Sequence, residues 1–258
     1  MWKFIIGNKM FSKAYIQEQG SGKLGYEESL IVQELDKRDI PYSLFTNKRV
    51  RRRQLELDRQ TYVAGDMDTI YSVLKQLDIA IPKANSYPGS LKAFLHRKVW
   101  RSTLGKVEES VRECQLSPVF IKPASREKTF TGLVVDSLQS LYFVGNTSRR
   151  QEVWCADLVD WLSEYRVYVV DSEIRSIDHY DGDEDVCVDY KTVEEAIKYL
   201  DDTGESHVAY AIDFGVLSTG QTALIEMNDA FAVGAYKNIS AKDYTDMTMT
   251  RWKELMEG

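Results

Sequence analysis

The chain reads Ala-Ile-Asp-Phe-Gly-Val over 211–216 and Leu-Ile-Glu-Met-Asn-Asp over 224–229, with Leu-Ser-Thr-Gly-Gln at 217–221 between them. Both runs are apolar and β-prone, and the joining segment carries turn residues, so 209–216 and 223–228 are expected to be paired strands. Side chains two apart on a strand leave from one face, so Glu226 and Asn228 point together, with Ile225 and Met227 turned away. If the pair is a hairpin, Asp213 lies beside them. Two carboxylates and a carboxamide on one face are hard oxygen donors of the kind Mg²⁺ takes. The polar outer side of an amphipathic hairpin would use the same residue types. Against that, carboxylates are depleted in strands, and these interrupt apolar runs where a solvated strand would alternate.

Moving upstream, Glu-Tyr-Arg-Val-Tyr-Val-Val at 164–170 is a further strand, with a turn at 171–173 and a returning strand over 174–180. Arg166 sits among apolar neighbours, where an unpaired guanidinium is costly, so it needs a carboxylate or a phosphate. His179 is placed to touch ribose, phosphate or substrate, or to serve structure alone. In Phe-Ile-Lys-Pro (120–123), Lys122 interrupts a β run that Pro123 limits. A lysine there meets nucleotide phosphates as a point charge, or guards a sheet edge. Lys128, in Lys-Thr-Phe-Thr-Gly ending at Gly132, falls on a candidate flap over phosphates. Strands are expected at 119–123, 128–136, 141–144 and 153–154, forming an antiparallel sheet. Helices are expected at 91–104, 193–200 and 244–256.

The first part of the chain alternates differently. A buried strand is expected at 2–6, a loop at 11–23, a helix at 26–38, strands at 41–45 and 62–65, and a helix at 67–77. Strand–helix alternation of this kind predicts a small parallel α/β lobe. Pro82, Pro88 and Gly89 break regular structure, dividing the chain into 1–85 and 86–258, the latter into 86–154 and 155–258. Lys-Arg-Val-Arg-Arg-Arg at 48–53 is the densest charge run. It reads either as a solvated face or as a contact for phosphates or an acidic partner.

Composition narrows the function classes. The chain has 258 residues, a formal net charge of -7 and 28% charged residues. No whole-molecule positive field draws in duplex nucleic acid, which disfavours that partner. The three cysteines, Cys114, Cys155 and Cys187, show no metal-knuckle spacing, and a reducing cytoplasm is the expected location. Neither a signal peptide nor a membrane span is expected.

Taken in order, 120–123, 128–132, 161–167, 213–216 and 226–229 resemble the ATP-grasp superfamily. Within it the chain is similar to small bacterial and phage proteins related to the ribosomal-protein glutamate ligase branch. The resemblance implies a mixed α/β and α+β architecture: a pre-ATP-grasp α/β lobe, then two α+β lobes clamping ATP. It implies ATP and Mg²⁺ as cofactors, with Mn²⁺ as the alternative ion. Asp213, Glu226 and Asn228 match the magnesium ligands, Lys122 the phosphate lysine, and Arg166 the arginine at the transferring phosphate. The string 151–154, with Glu152, Val153 and Trp154, matches the hinge whose backbone meets adenine, and Asp157 the acid that holds ribose. Lys98 or Arg101 stands for a first phosphate cation. Residues 229–236 match the loop facing the acceptor. The implied reaction joins a carboxylate, activated as an acylphosphate, to an amine of an amino acid, peptide or protein tail. The alternatives are another acceptor, such as a nucleic-acid end or a phosphotransferase substrate, and a nucleotide-binding protein without turnover.

Overall fold

Residues 11–113, 117–124 and 129–258 are described by the structure, a computed structural model. The strand expected at 2–6 and Lys128 lie outside them. The first sheet has order β2-β1-β3, from β1 (Lys13–Gln17), β2 (Tyr42–Phe45) and β3 (Thr61–Ala64), all parallel. Helix α1 (Tyr26–Lys37) crosses from β1 to β2, α2 (Asn47–Arg51) follows β2, and α3 (Met67–Gln76) follows β3. The Asp66 side chain caps α3 by accepting from Thr69 N at 2.8 Å. The loop expected at 11–23 is in fact the centre of this sheet. Its short strand hides behind Lys13 and Gln17, while Ala14 and Ile16 turn inward and are buried.

The second sheet has order β4-β7-β5-β6 and is antiparallel, from β4 (Val99–Thr103), β5 (Val119–Pro123), β6 (Leu133–Val135) and β7 (Glu152–Asp157), with α4 (Leu104–Arg112) after β4. The helix expected at 91–104 is instead a 3-10 turn, Gly89–Leu95, followed by β4. Leu91 and Leu95 carry helical spacing, and both are buried, but the backbone leaves the helix at His96, whose φ is 47°. The strand expected at 141–144 is a 3-10 turn, Ser140–Val144.

The third sheet has order β11-β10-β8-β9, from β8 (Trp161–Val170), β9 (Glu173–Gly182), β10 (Ala209–Leu217) and β11 (Thr222–Asp229), all antiparallel neighbours. Helix α5 (Tyr190–Asp202) covers one face, burying Val193, Ala196, Ile197 and Leu200 against Tyr210, Ile212 and Phe214. The alternate residues of β10, Ala209, Ala211, Asp213 and Gly215, turn to the other face. Small side chains there admit α6 (Ala241–Glu257) and the first sheet into one core with Ala209 and Ala211. Trp252 of α6 is buried and donates its indole N–H to Thr61 O at 2.9 Å, and the Tyr62 and Thr248 hydroxyls meet at 2.7 Å. No helix among the described residues is long and apolar enough to cross a membrane.

Candidate active site

The uncovered end of the third sheet carries the charge. Asp213 pairs across β10–β11 with Glu226, and across β10–β8 with Arg166. The hairpin expected from the sequence is therefore present, with Asn228 one alternation further along β11 beside Ala211. A bulge after Asp213 leaves Ile225 outside the ladder. Arg97 closes that irregularity: its guanidinium donates to Leu224 O at 2.6 Å and to Ile225 O at 3.0 Å.

Asp213 is only 2% exposed, and both of its oxygens accept from Arg166, at 2.8 Å from Nε and 2.7 Å from Nη2. Burial pushes Asp213 up to about 6 against the pull of Arg166, and Glu226 adds to the rise. Glu226 goes the other way. Burial raises it, but the Lys122 ammonium and the Asn228 carboxamide outweigh that and hold it below its ordinary value. Lys122 bonds Glu226 directly, and Asn228 Nδ2 donates to Glu226 Oε1 at 3.0 Å. Glu164, two residues before Arg166, is raised by burial although the Tyr180 hydroxyl donates to it at 2.8 Å.

Lys122 comes from β5 of the second sheet, so the Lys122–Glu226 bond spans the gap between two sheets. That gap opens into a cleft of about 730 Å³. Phe120, Lys122, Phe130 and Gly132 wall one side, and Arg166, Glu226, Asn228 and Asp229 the other, with Val233 and Gly234 closing one end. Arg166 also donates to Gly234 O at 3.2 Å and lies 4.9 Å from the Tyr236 ring, which stacks on Tyr180 at 4.8 Å.

Glu226 and Asn228 fit a hard divalent cation: both line the cleft, and Asn228 Oδ1 lies outside its bond to Glu226. Asp213 adjoins them, but its oxygens are committed to Arg166 and it does not line the cleft. Among the described residues no three His, Cys, Asp or Glu side chains gather around a cation position.

The other expected contacts lie on β4, β7 and β9 and just before β4. Glu152, Val153 and Trp154 lie inside β7, laddered to β4 on one side and β5 on the other, and Ala124 N donates to Glu152 O at 3.0 Å. Their backbone is spent on the sheet and has no edge to offer a base. The segment between β7 and β8, 158–160, is the connection between the two sheets. The Trp154 side chain shares a face with Lys122 and Arg101, and it meets Tyr87 edge-on at 5.1 Å. His179 pairs with Tyr165 and shares its face, opposite to Arg166, so it points away from the cleft. Lys98 and Arg101 are exposed, stacked on Trp100 at 5.0 Å and Trp154 at 4.6 Å. Asp157 accepts from Lys98 N at 3.2 Å.

Sequence reasoning missed Arg97, Glu164, Tyr180 and the Asp229–Arg251 pair. Arg251 of α6 is 4% exposed and grips both oxygens of Asp229, at 2.7 and 2.6 Å. This fixes the end of β11 just past Asn228. The signal for Arg251 was its place inside an otherwise apolar helix face.

Residues 94–247 match a family model described as an ATP-grasp domain, the second family of its clade. No curated protein sequence matches the chain. Among solved structures, D-alanyl-alanine synthetase A from Vibrio cholerae superposes with a TM-score of 0.61 at 12% identity, covering 95% of this chain and 99% of its own. D-alanine–D-alanine ligase from Bacillus anthracis, complexed with ATP, gives 0.53 at 13% identity, covering 95% and 99%. A RimK domain ATP-grasp protein from Sphaerobacter thermophilus gives 0.50 at 12% identity, covering 92% and 98%.

Proposed function

The chain belongs to this ATP-grasp domain family, and from that premise we propose that it is an ATP- and Mg²⁺-dependent ligase that activates a carboxylate and joins it to an amine, releasing ADP and phosphate. One observation carries the reading. A lysine of the second sheet and an arginine, a glutamate and an asparagine of the third converge on one cleft.

In this reading the triphosphate lies between the two sheets. Lys122 and Arg166 hold its phosphates, and the 158–160 connection meets the base. Each cation now rests on a carboxylate, Lys122 on Glu226 and Arg166 on Asp213. Phosphate oxygens compete for the same donors, so both side chains are kept in reach and in their charged form. Glu226 and Asn228 would hold Mg²⁺, or Mn²⁺ in its place, which supplies positive charge against the triphosphate. The substrate carboxylate attacks the γ-phosphorus, the bond to the β-phosphate oxygen breaks, and ADP leaves with that electron pair. The amine then attacks the acylphosphate carbonyl, loses a proton and expels phosphate, giving an amide. Lys122 and Arg166 offset charge on the moving phosphoryl group. The 229–236 loop, fixed by Asp229–Arg251 and by Arg166 on Gly234 O, faces the acceptor. No side-chain nucleophile is required.

The test is ADP release with ATP, Mg²⁺ and pools of amino acids, peptides or RNA. ADP formation that requires both a carboxylate and an amine, and stops when the metal is chelated, supports the ligase. AMP as the product, or turnover with RNA alone, contradicts it.

A further inference from the structure

Strand β11 changes face partway along its length. Leu224 lies opposite Phe214 and Met227 opposite Ile212, and all four pack in the core under α5. Glu226 lies opposite Asp213 and lines the cleft. Directly opposed residues of an antiparallel pair leave from one side of the sheet. Leu224 and Glu226 are two apart, so unbroken alternation would put them on the same face. They stand on opposite faces because the bulge at Ile225 adds one residue between them. If the bulge moved past Glu226, this residue would fall opposite Ile212 and turn its carboxylate into the apolar core.

Both ends of β11 are pinned, so the odd residue has to be taken up between them. Leu217 N donates to Gln221 O at 2.9 Å and closes the turn before the strand. Beyond the bulge, Met227 N donates to Ser86 O at 2.9 Å, and Arg251 grips Asp229. Arg97 marks the place in between. It lies between the 89–95 turn and β4, and it donates to Leu224 O at 2.6 Å and Ile225 O at 3.0 Å, the two carbonyls at the bulge. A third bond, to Leu95 O at 3.1 Å, and the Trp161 ring at 5.2 Å fix the direction of the guanidinium fork. Such a fork serves two adjacent carbonyls at once, and carbonyls freed by a bulge are costly when left unpaired.

We propose that Arg97 is a positioning residue for Glu226: by capping Leu224 and Ile225 it keeps the bulge ahead of Glu226, and so keeps that carboxylate in the cleft. That Glu226 then holds a metal rests on the ligase reading; its placement does not. The test is zero-length carbodiimide crosslinking of the full chain, with the Lys122–Glu226 amide read by mass spectrometry. The Lys242–Asp246 pair of α6, at 2.8 Å, is the internal standard. Arg97→Met should lower the Lys122–Glu226 yield about tenfold against that standard, the scale on which an uncapped carbonyl shifts a local equilibrium. Deleting Ile225 removes the odd residue, so alternation alone puts Glu226 opposite Asp213. The deletion should therefore crosslink like the wild type, with or without Arg97→Met. A merely structural anchor would not become dispensable in this way. If Arg97→Met alone fails to fold, as read by circular dichroism, the deletion combined with it decides the matter. Mn²⁺ binding with a non-hydrolysable ATP analogue, followed by electron paramagnetic resonance, should weaken with Arg97→Met and recover with the deletion. Crosslinks that follow this pattern while no form binds Mn²⁺ would support the positioning of Glu226 and refute the metal of the ligase reading. A wild type without the crosslink, Arg97→Met that crosslinks like the wild type, or a yield that the deletion fails to restore overturns the proposal.

Discussion

Asp213 is a carboxylate in a strand whose every position is buried, and its neighbours follow from that fact. A charge there survives only beside a fixed counter-charge, so Arg166 stands opposite it in the register and takes both oxygens. The need for a partner to Arg166 was readable from its apolar setting; that Asp213 would be that partner was not, because sequence spacing gives faces and not register. Arg166→Ala should leave Asp213 buried and alone, and destabilise the fold by about 3 kcal/mol or more, seen as a lower urea midpoint. An unchanged midpoint would show the pair to be dispensable for folding. Lys122 is different, because its partner Glu226 reaches solvent through the cleft. Lys122→Ala should lower the thermal midpoint less than Arg166→Ala does, while raising the KM for ATP or lowering kcat about tenfold or more through loss of a charge-assisted phosphate contact. Steady-state kinetics identical to wild type would remove Lys122 from the site.

Helix α6 links two distant parts of the chain. Trp252 is 1% exposed, packs against Tyr62 at 6.5 Å and donates to Thr61 O. Trp252→Ala should therefore cost about 3–5 kcal/mol, lowering the melting temperature; a shift within error would mean the helix is not anchored there. His207, just before β10, lies by Asp229, Arg251 and Glu254. Burial first, then Arg251, push it below its ordinary value, and Asp229 and Glu254 only partly oppose them. The unfolded chain then binds the proton more readily than the folded one. Stability should fall as pH drops from about 6.5 toward the lower folded value. His207→Gln should flatten that part of the melting-temperature profile, and identical slopes would contradict the reading. At this scale the sequence was legible where alternation was clean. The β10–β11 hairpin and α5 announce themselves by period, whereas β1 and β4 are short, polar on one side and interrupted by turns. The string 151–154 was expected as a hinge, yet Glu152, Val153 and Trp154 lie inside β7, because a strand and a connecting loop of similar hydrophobicity look alike until their hydrogen bonds are known. Arg97 lacked any signal, since its role is to cap carbonyls freed by a bulge that no spacing reveals.

Across the whole molecule, the second and third sheets meet at the cleft. The second brings a lysine, the third brings paired carboxylates and an arginine, and the first is joined to the third through the core it shares with α6. Glu164, Asp213 and Glu226 are balanced there by Arg97, Lys122 and Arg166, so an incoming triphosphate and its metal add charge to a neutral face. The similarity to distant ligases gives the fold alone. The most direct measurement is a crystal structure of the chain with a non-hydrolysable ATP analogue and Mg²⁺. Phosphate oxygens should lie on Lys122 and Arg166, the ion on Glu226 and Asn228, and the base beside 158–160. An analogue bound outside this cleft, or an ion held without Glu226 and Asn228, would contradict that arrangement.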